Sequence, residues 1–318
     1  MSRSFLASRY QMSLTLFGMF ILSLPCSGSA LRSPIQWIRG MQAHPLLQNR
    51  RAVHHSLLQS NGFFLESDTT WMIRKRLHDR QLRKEYDNEN ANSGNGDDVW
   101  WQNHYDPTFH CRFERRLGKF GDGGKWVCNP HRIAEMARHS KSCIVYSVGS
   151  DGDFSFERSI MDEISEQCEI HTFDKNDNSF YVERASKDPS FPLRDEPVPQ
   201  FVHHHVAEIG SSHPAVSIPE MIDRLGHRNK TIDIFKIDCE GCEWQTYTSW
   251  LDNGVNIRQI LVELHRPFTS EMGHKFFRYF INHGYAVFHK EPNGSGCIEI
   301  AMIKLSKEFT SILDDTPS

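Results

Sequence analysis

The sequence predicts an α/β fold, a mostly parallel sheet with helices on both faces. Three observations predict it. Short apolar runs alternate with amphipathic segments at helical spacing from Cys143 onward. A Gly-containing turn, GSDGDF, follows the first run. Acids stand at the carboxyl tips of two runs, Asp174 and Asp238, where open sheets of this kind bind ligands.

Taken in chain order, residues 1–30 read as a secretory signal peptide. Arg3 and Arg9 precede the apolar stretch Met12–Leu24, Pro25 breaks it, and Gly28-Ser29-Ala30 offers a cleavage site. The stretch is short for a membrane span, which needs about 20 residues. An uncleaved signal anchor through residues 12–24 is the alternative. Residues 31–98 read as a stem, polar and ending in the low-complexity run DNENANSGNGDD, with one helix over Phe63–Lys84. The main domain is then expected over 99–318. A net charge of −4 gives no hint of bulk binding to nucleic acid, and no nucleic-acid partner is expected. Oligomeric state is not legible.

Trp100-Trp101 and GKFGDGGKWVCNP form a lead-in, read as a packing collar, and Asn129-Pro130 starts a helix through Ala137. Cys143–Val148 is the first strand. Phe154, Phe156, Ile160 and Ile164 recur at helical spacing, and Glu169–Phe173 is the second strand. Asp188–Pro199 is a Pro-rich loop, and Phe201–Ala207 a third strand. Ser217–Gly226 is a helix, with Ser217 as N-cap, Glu220 three residues on and Gly226 as stop. Ile232–Ile237 is a fourth strand, Glu243–Leu251 a helix and Gln259–Leu264 a fifth strand. Phe276–His283 is a helix ended by Gly284, before two final strands, Tyr285–His289 and Cys297–Lys304.

The turn carries the first chemical signal. Gly149 lets the backbone approach a ligand, and Asp174 stands where a ribose is held by its hydroxyls. Two Gly residues rather than three depart from the dinucleotide fingerprint, and Asp151 and Asp153 would repel a pyrophosphate. A nucleoside cofactor without phosphate fits, and S-adenosylmethionine is such a molecule. Gly149, Ser150, Asp151, Gly152, Asp174 and Asp238 are the candidate cofactor residues.

FKIDCEGCEW is the second signal, with Asp238, Glu240 and Glu243 within six residues. Asp238 is at a strand tip, while Glu243 is equally an ordinary acid in the first turn of a helix. LVELH adds Glu263 and His265 at the next strand end. Removing a proton from a hydroxyl needs a base, and imidazole suits neutral pH. Asp238, Glu240, Glu263 and His265 are the candidate catalytic residues.

Seven Cys follow the cleavage site, so at least one is unpaired within the chain. Cys111 and Cys128 are expected to close a disulfide, Cys143 and Cys168 to pack as small hydrophobes, and Cys239 and Cys242 to be a disulfide or two buried thiols. Asn229-Lys-Thr231 and Asn293-Gly-Ser295 are glycosylation sequons. His203-His204-His205 is not assigned a metal, because neighbours on a strand point to opposite faces, and no metal ligand is assigned elsewhere.

VYSVGSDGDFSFE, EIHTFDK, TIDIFKIDCEGCEW and ILVELH, in that order, resemble the methyltransferase-like branch related to FkbM-type enzymes. The resemblance covers roughly residues 100–304. It implies a class I Rossmann-like methyltransferase with a seven-stranded sheet, S-adenosylmethionine as cofactor and O-methylation of a hydroxyl on a glycan or small molecule. Gly149 and its neighbours would serve the cofactor's methionine side, Asp174 its ribose, and Asp238 and Glu240 the region of the transferable methyl. The secretory pathway is the expected location. Two other readings stand beside it: a metal-dependent glycosyltransferase using Asp151-Gly-Asp153, and a non-catalytic secreted binding module.

Overall fold

Short apolar runs buried on both faces build a seven-stranded sheet in the computed structural model, which describes residues 54–88, 97–187, 198–211, 214–266, 269–293 and 296–312. The strands are β3 (Ile144–Val148), β4 (Glu169–Asp174), β5 (Val202–Val206), β7 (Ile234–Ile237), β9 (Gln259–Leu264), β10 (Tyr285–Asn293) and β11 (Cys297–Lys304), in spatial order β10-β11-β9-β7-β3-β4-β5. β3, β4, β5, β7 and β9 are parallel, while β11 runs antiparallel between β9 and β10. This is the class I methyltransferase-type α/β sheet that the sequence predicts. The chain steps outward from β3 to β4 and β5, then returns to place β7 on the other side of β3. The reversal opens a crevice at the carboxyl ends of β3 and β7.

Each face of the sheet carries its own core. Val145, Ile234, Leu261 and Ile303 meet Ile133, Phe156 and Ile160 on one face. Tyr146, Phe235, Ile260 and Val262 meet Trp250, Phe276 and Phe280 on the other. Neighbours such as Val145 and Tyr146 divide between the faces because successive strand residues point oppositely.

Several elements differ from expectation. A small antiparallel hairpin, β1 (Glu114–Leu117) and β2 (Lys125–Cys128), lies within the expected lead-in loop. The expected strand over 232–237 divides at Asp233. Thr231–Ile232 (β6) pairs instead with Asn256–Ile257 (β8), while buried Asp233 accepts from Ile144 N and Arg258 Nε. The helix expected over 243–251 spans Glu243–Thr246 and continues as a tighter turn, Tyr247–Ser249. The helix ending at Gly284 begins earlier, at Ser270, where Thr269 Oγ1 accepts from Met272 N. Residues 1–53 and the Pro-rich 188–197 lie outside the described residues.

The expected boundary near Val99 does not divide the packing. A helix over Asp68–Asp87, capped by Ser67, presents Trp71 to Phe309 at 4.9 Å and to Phe64 at 5.8 Å between ring centroids. Both Trp71 and Phe309 are fully buried, and the compact unit begins at Ala52. The polar surface of this helix hid its packing stripe. Trp100 and Trp101 act as the expected collar, and a Cβ on Gly273 would stand 2.3 Å from the Trp100 ring.

Cys111–Cys128 and Cys239–Cys242 are disulfides. Cys143–Cys168 is a third, correcting the expectation of packed thiols. Its reason is register. Ile144 lies opposite Glu169, so the residues just before them stand side by side, with Cα atoms 4.5 Å apart. Cys297 is the free thiol among the described residues.

The packing predicts that a fragment beginning at residue 99 is less stable to urea than one beginning at 52, because it strips the cover from Phe309. Trp71→Ala in the longer chain is expected to cost about 3–5 kcal/mol. Equal midpoints for the two fragments would show that residues 54–88 do not belong to the fold.

Candidate active site

The carboxyl ends of β3, β4, β7 and β9 line one cavity of about 820 Å³. Gly149, Ser150, Asp151, Asp174, Asp238, Glu240, Glu263 and His265 all border it. Gly152 does not: it is buried at positive φ and shapes the turn from behind.

Gly149 is required for a different reason than expected. A Cβ there would lie 1.7 Å from the Asp238 carbonyl oxygen, so backbone of the neighbouring strand end, not ligand, fills the space. Its φ of +72° also favours Gly. Lys236 Nζ donates to the Gly149 carbonyl at 2.9 Å and holds the turn from beneath. Asp174 accepts from Ser150 N (3.1 Å) and Asp151 N (3.0 Å) through Oδ2, and from Asn176 N (3.0 Å) through Oδ1. Ser150 Oγ also donates to Oδ2 at 3.4 Å, so Asp174 orders the turn through Oδ2 while Oδ1, with Asn176 N alone, keeps one acceptor site of the two each oxygen offers. The D-x-D acids are already paired. Asp151 meets Arg184 at 2.7 Å, and Asp153 meets Lys119 at 2.6 Å.

At the other wall, Glu243 is fully buried and orients His265. Its Oε1 accepts from the His265 backbone N at 2.7 Å and lies 3.1 Å from Nδ1. The ring's other nitrogen, Nε2, faces Asp238 at 3.5 Å, Glu240 at 3.6 Å and Glu263 at 3.8 Å. Burial favours the neutral imidazole, but Glu243, Asp238 and Glu263 outweigh it and push His265 up to about 9. Glu240 sits at φ +57° beside Gly241 and is 83% exposed, so it guards the mouth.

Sequence reasoning missed the centre of the charge network. Lys125 of β2 is almost wholly buried and reaches Glu263 at 2.9 Å, Asp238 at 3.4 Å and Glu299 of β11. Burial alone would lower its affinity for a proton, yet the three carboxylates raise it. Glu263 and Glu299 lie directly opposite on β9 and β11. Burial and Glu263 push Glu299 up; at Glu263 burial is outweighed by Lys125, which draws it down to about 2. Asn293 Nδ2 donates to Glu263 at 3.0 Å and Glu299 at 3.2 Å. This sequon's amide therefore points into the site, whereas Asn229 is exposed. A faint signal for these residues existed: Lys125, Lys236 and Glu299 are charges inside apolar strands, KWVC, IFKI and CIEIAMIK, and buried charges need partners.

Lys125→Met is expected to cost about 3–5 kcal/mol at pH 7.5, because it leaves facing carboxylates unneutralised. The loss should shrink at pH 5. Without Lys125 these carboxyls hold their protons more tightly folded than unfolded, which stabilises the fold as pH falls. Urea unfolding at both pH values checks this, and an equal loss at each would mean Lys125 acts by packing alone.

A family described as a methyltransferase domain matches residues 54–304. Among solved structures, TrmK from M. capricolum with S-adenosylhomocysteine is similar at 15% identity and TM-score 0.33, over 58% of this chain and 71% of that one. Human methyltransferase-like protein 13 with S-adenosylhomocysteine is similar at 14% identity and TM-score 0.36, over 59% and 90%. No curated protein matches the sequence. The cavity has room for a nucleoside cofactor and an acceptor, and it brings a turn ordered by an acid to a base flanked by carboxylates. With the family matched over 54–304, most of its length, the chain belongs to the methyltransferase-domain family and is an S-adenosylmethionine-dependent methyltransferase.

Proposed function

We propose that this chain is an FkbM-related O-methyltransferase of the secretory pathway, acting on a hydroxyl of a glycan or small molecule. The observation that carries it is His265 Nε2, directed among Asp238, Glu240 and Glu263 at the cavity wall while Glu243 holds the ring's other face. A hydroxyl must lose its proton as it is methylated, and a positioned imidazole is suited to take it. Three disulfides among the described residues support an oxidising compartment. The apolar segment 12–24 supports entry to it.

The residues present fit the cofactor. Gly149, Ser150 and Asp151 supply a turn without bulky side chains at its rim, and Asp174 retains acceptor capacity for ribose hydroxyls. Bound there, S-adenosylmethionine supplies an electrophilic methyl group. Asp238, with Glu240 at the mouth, provides negative charge near a sulfonium and orients the acceptor. His265 accepts the acceptor's proton at Nε2, and Glu243 stabilises the resulting imidazolium through Nδ1. Asp151 is ion-paired with Arg184 and Asp153 with Lys119, which weighs against the D-x-D triplet serving a nucleotide-sugar metal.

Calorimetry of the purified chain with S-adenosylhomocysteine tests the cofactor assignment. Saturable binding, weakened at least tenfold by Asp174→Ala, is expected. No binding by folded protein would sink the reading. Once an acceptor is found by methyl-transfer assay against glycans, His265→Ala should lower kcat about 10²–10⁴-fold and leave S-adenosylhomocysteine binding intact. A base must be neutral to act, so the rate should rise with pH toward about 9. Glu243→Gln removes the main charge that raises His265 and should move that rise to lower pH. An unmoved profile would exclude His265 as the base.

A further inference from the structure

The sheet carries a second polar cluster far from the cavity. Glu169 opens β4 and Asp174 closes it, about 16 Å apart along a strand at 3.3 Å per residue. Glu169 and His171 share a face of β4 because they are two residues apart. Parallel register sets Tyr146, His171 and His203 in one lateral row across β3, β4 and β5. His203 stacks on His171 at 5.0 Å, and His205 Nε2 lies 3.0 Å from His171 Nδ1. The triplet on β5 thus does place alternate members on one face, but their partners come from other elements.

His227 arrives from the turn after the helix Ile218–Arg224, with its backbone N donating to Ile222 O at 2.9 Å. Its Nε2 lies 3.3 Å from Glu169 Oε1, and His171 Nε2 lies 2.9 Å from the same oxygen. Both imidazoles are nearly fully buried, and Glu169 is 40% exposed.

We propose that Glu169, His171 and His227 form a divalent transition-metal site, with zinc as the fitting ion. The three donor atoms lie within 4.8 Å of one another. Tetrahedral zinc with bonds near 2.0–2.1 Å sets its ligands about 3.3 Å apart, close to the spacing around Glu169 Oε1. Each imidazole also has a partner for its other nitrogen: His227 Nδ1 is 2.9 Å from Tyr146 Oη, and His171 Nδ1 faces His205. A proton on each Nδ1 leaves both Nε2 lone pairs turned toward the carboxylate, the arrangement outer partners impose on metal-bound His. Lys230 near Glu169 is the opposing charge. Two nitrogens and one oxygen select zinc over magnesium or calcium. The exposed side at Glu169 leaves a coordination position for water. The ion would tie the His227 turn to the sheet, independently of methyl transfer.

The full chain, stripped with EDTA and titrated with zinc chloride at pH 7.4, should take up one tight equivalent and melt at a higher temperature. Cobalt should give visible absorption of a tetrahedral site. Glu169→Gln, at a half-exposed position that tolerates change, and His227→Gln should each weaken the equivalent at least tenfold and remove the zinc-dependent rise in Tm. His265→Ala should keep it, since the cavity's own donors, Glu263, His265 and Cys297, form a competing set. Absence of a stoichiometric equivalent overturns the proposal and leaves a hydrogen-bonded Glu–His pair. So does retention of the equivalent in Glu169→Gln, or its loss in His265→Ala.

Discussion

The structure depends on how closely two strand ends meet. Gly149 and the Asp238 carbonyl approach so tightly that no Cβ fits between them. That contact joins β3 to β7 at the reversal of strand order. It brings the GSDGDF turn and the DCEGCE turn to opposite walls of one cavity. Asp174 fastens the first turn by its amides, and Glu243 fastens His265 on the far side. The acids that look like ligand contacts in sequence are therefore also the braces of the loops they stand in. Separating their binding role from their structural role needs a readout of each.

A second constraint is charge. Asp238, Glu263 and Glu299 converge at the carboxyl end of the sheet, and their mutual repulsion in a buried setting would be severe. Lys125 offsets it from the β1–β2 hairpin. The hairpin is tied by Cys111–Cys128 and by Gln259, whose amide pairs with both backbone groups of Cys128. A segment that looks like a connecting loop thus supplies the counter-ion for the carboxylates of the cavity wall. Asp238 and Glu263 also join Glu243 in raising His265 against its burial, so the imidazole's proton affinity is set by residues from two neighbouring strand ends.

The parallel sheet, the Gly turn and the acids at strand tips were legible because each is a local pattern. Apolar runs of strand length, separated by helical periodicity, leave few architectures open. Asp174, Asp238, Glu263 and His265 were found by position alone, since strand ends face the crevice. Lys125, Glu299 and Asn293 were not, because their partners lie more than a hundred residues away or across an antiparallel pair. The Cys143–Cys168 bridge was misread for the same reason: two Cys at strand starts look like packing residues until register sets them side by side.

By itself, the sequence determined the period of each element, the residues with reactive chemistry and the turns that need Gly, because these follow from backbone sterics and side-chain type over a few neighbours. The tertiary structure alone decided which charges neutralise one another, that the helix bearing Trp71 belongs to the core, and that His171, His227 and Glu169 converge. Those outcomes depend on strand order and register, and register is set by the sum of many long-range contacts rather than by any local run of residues.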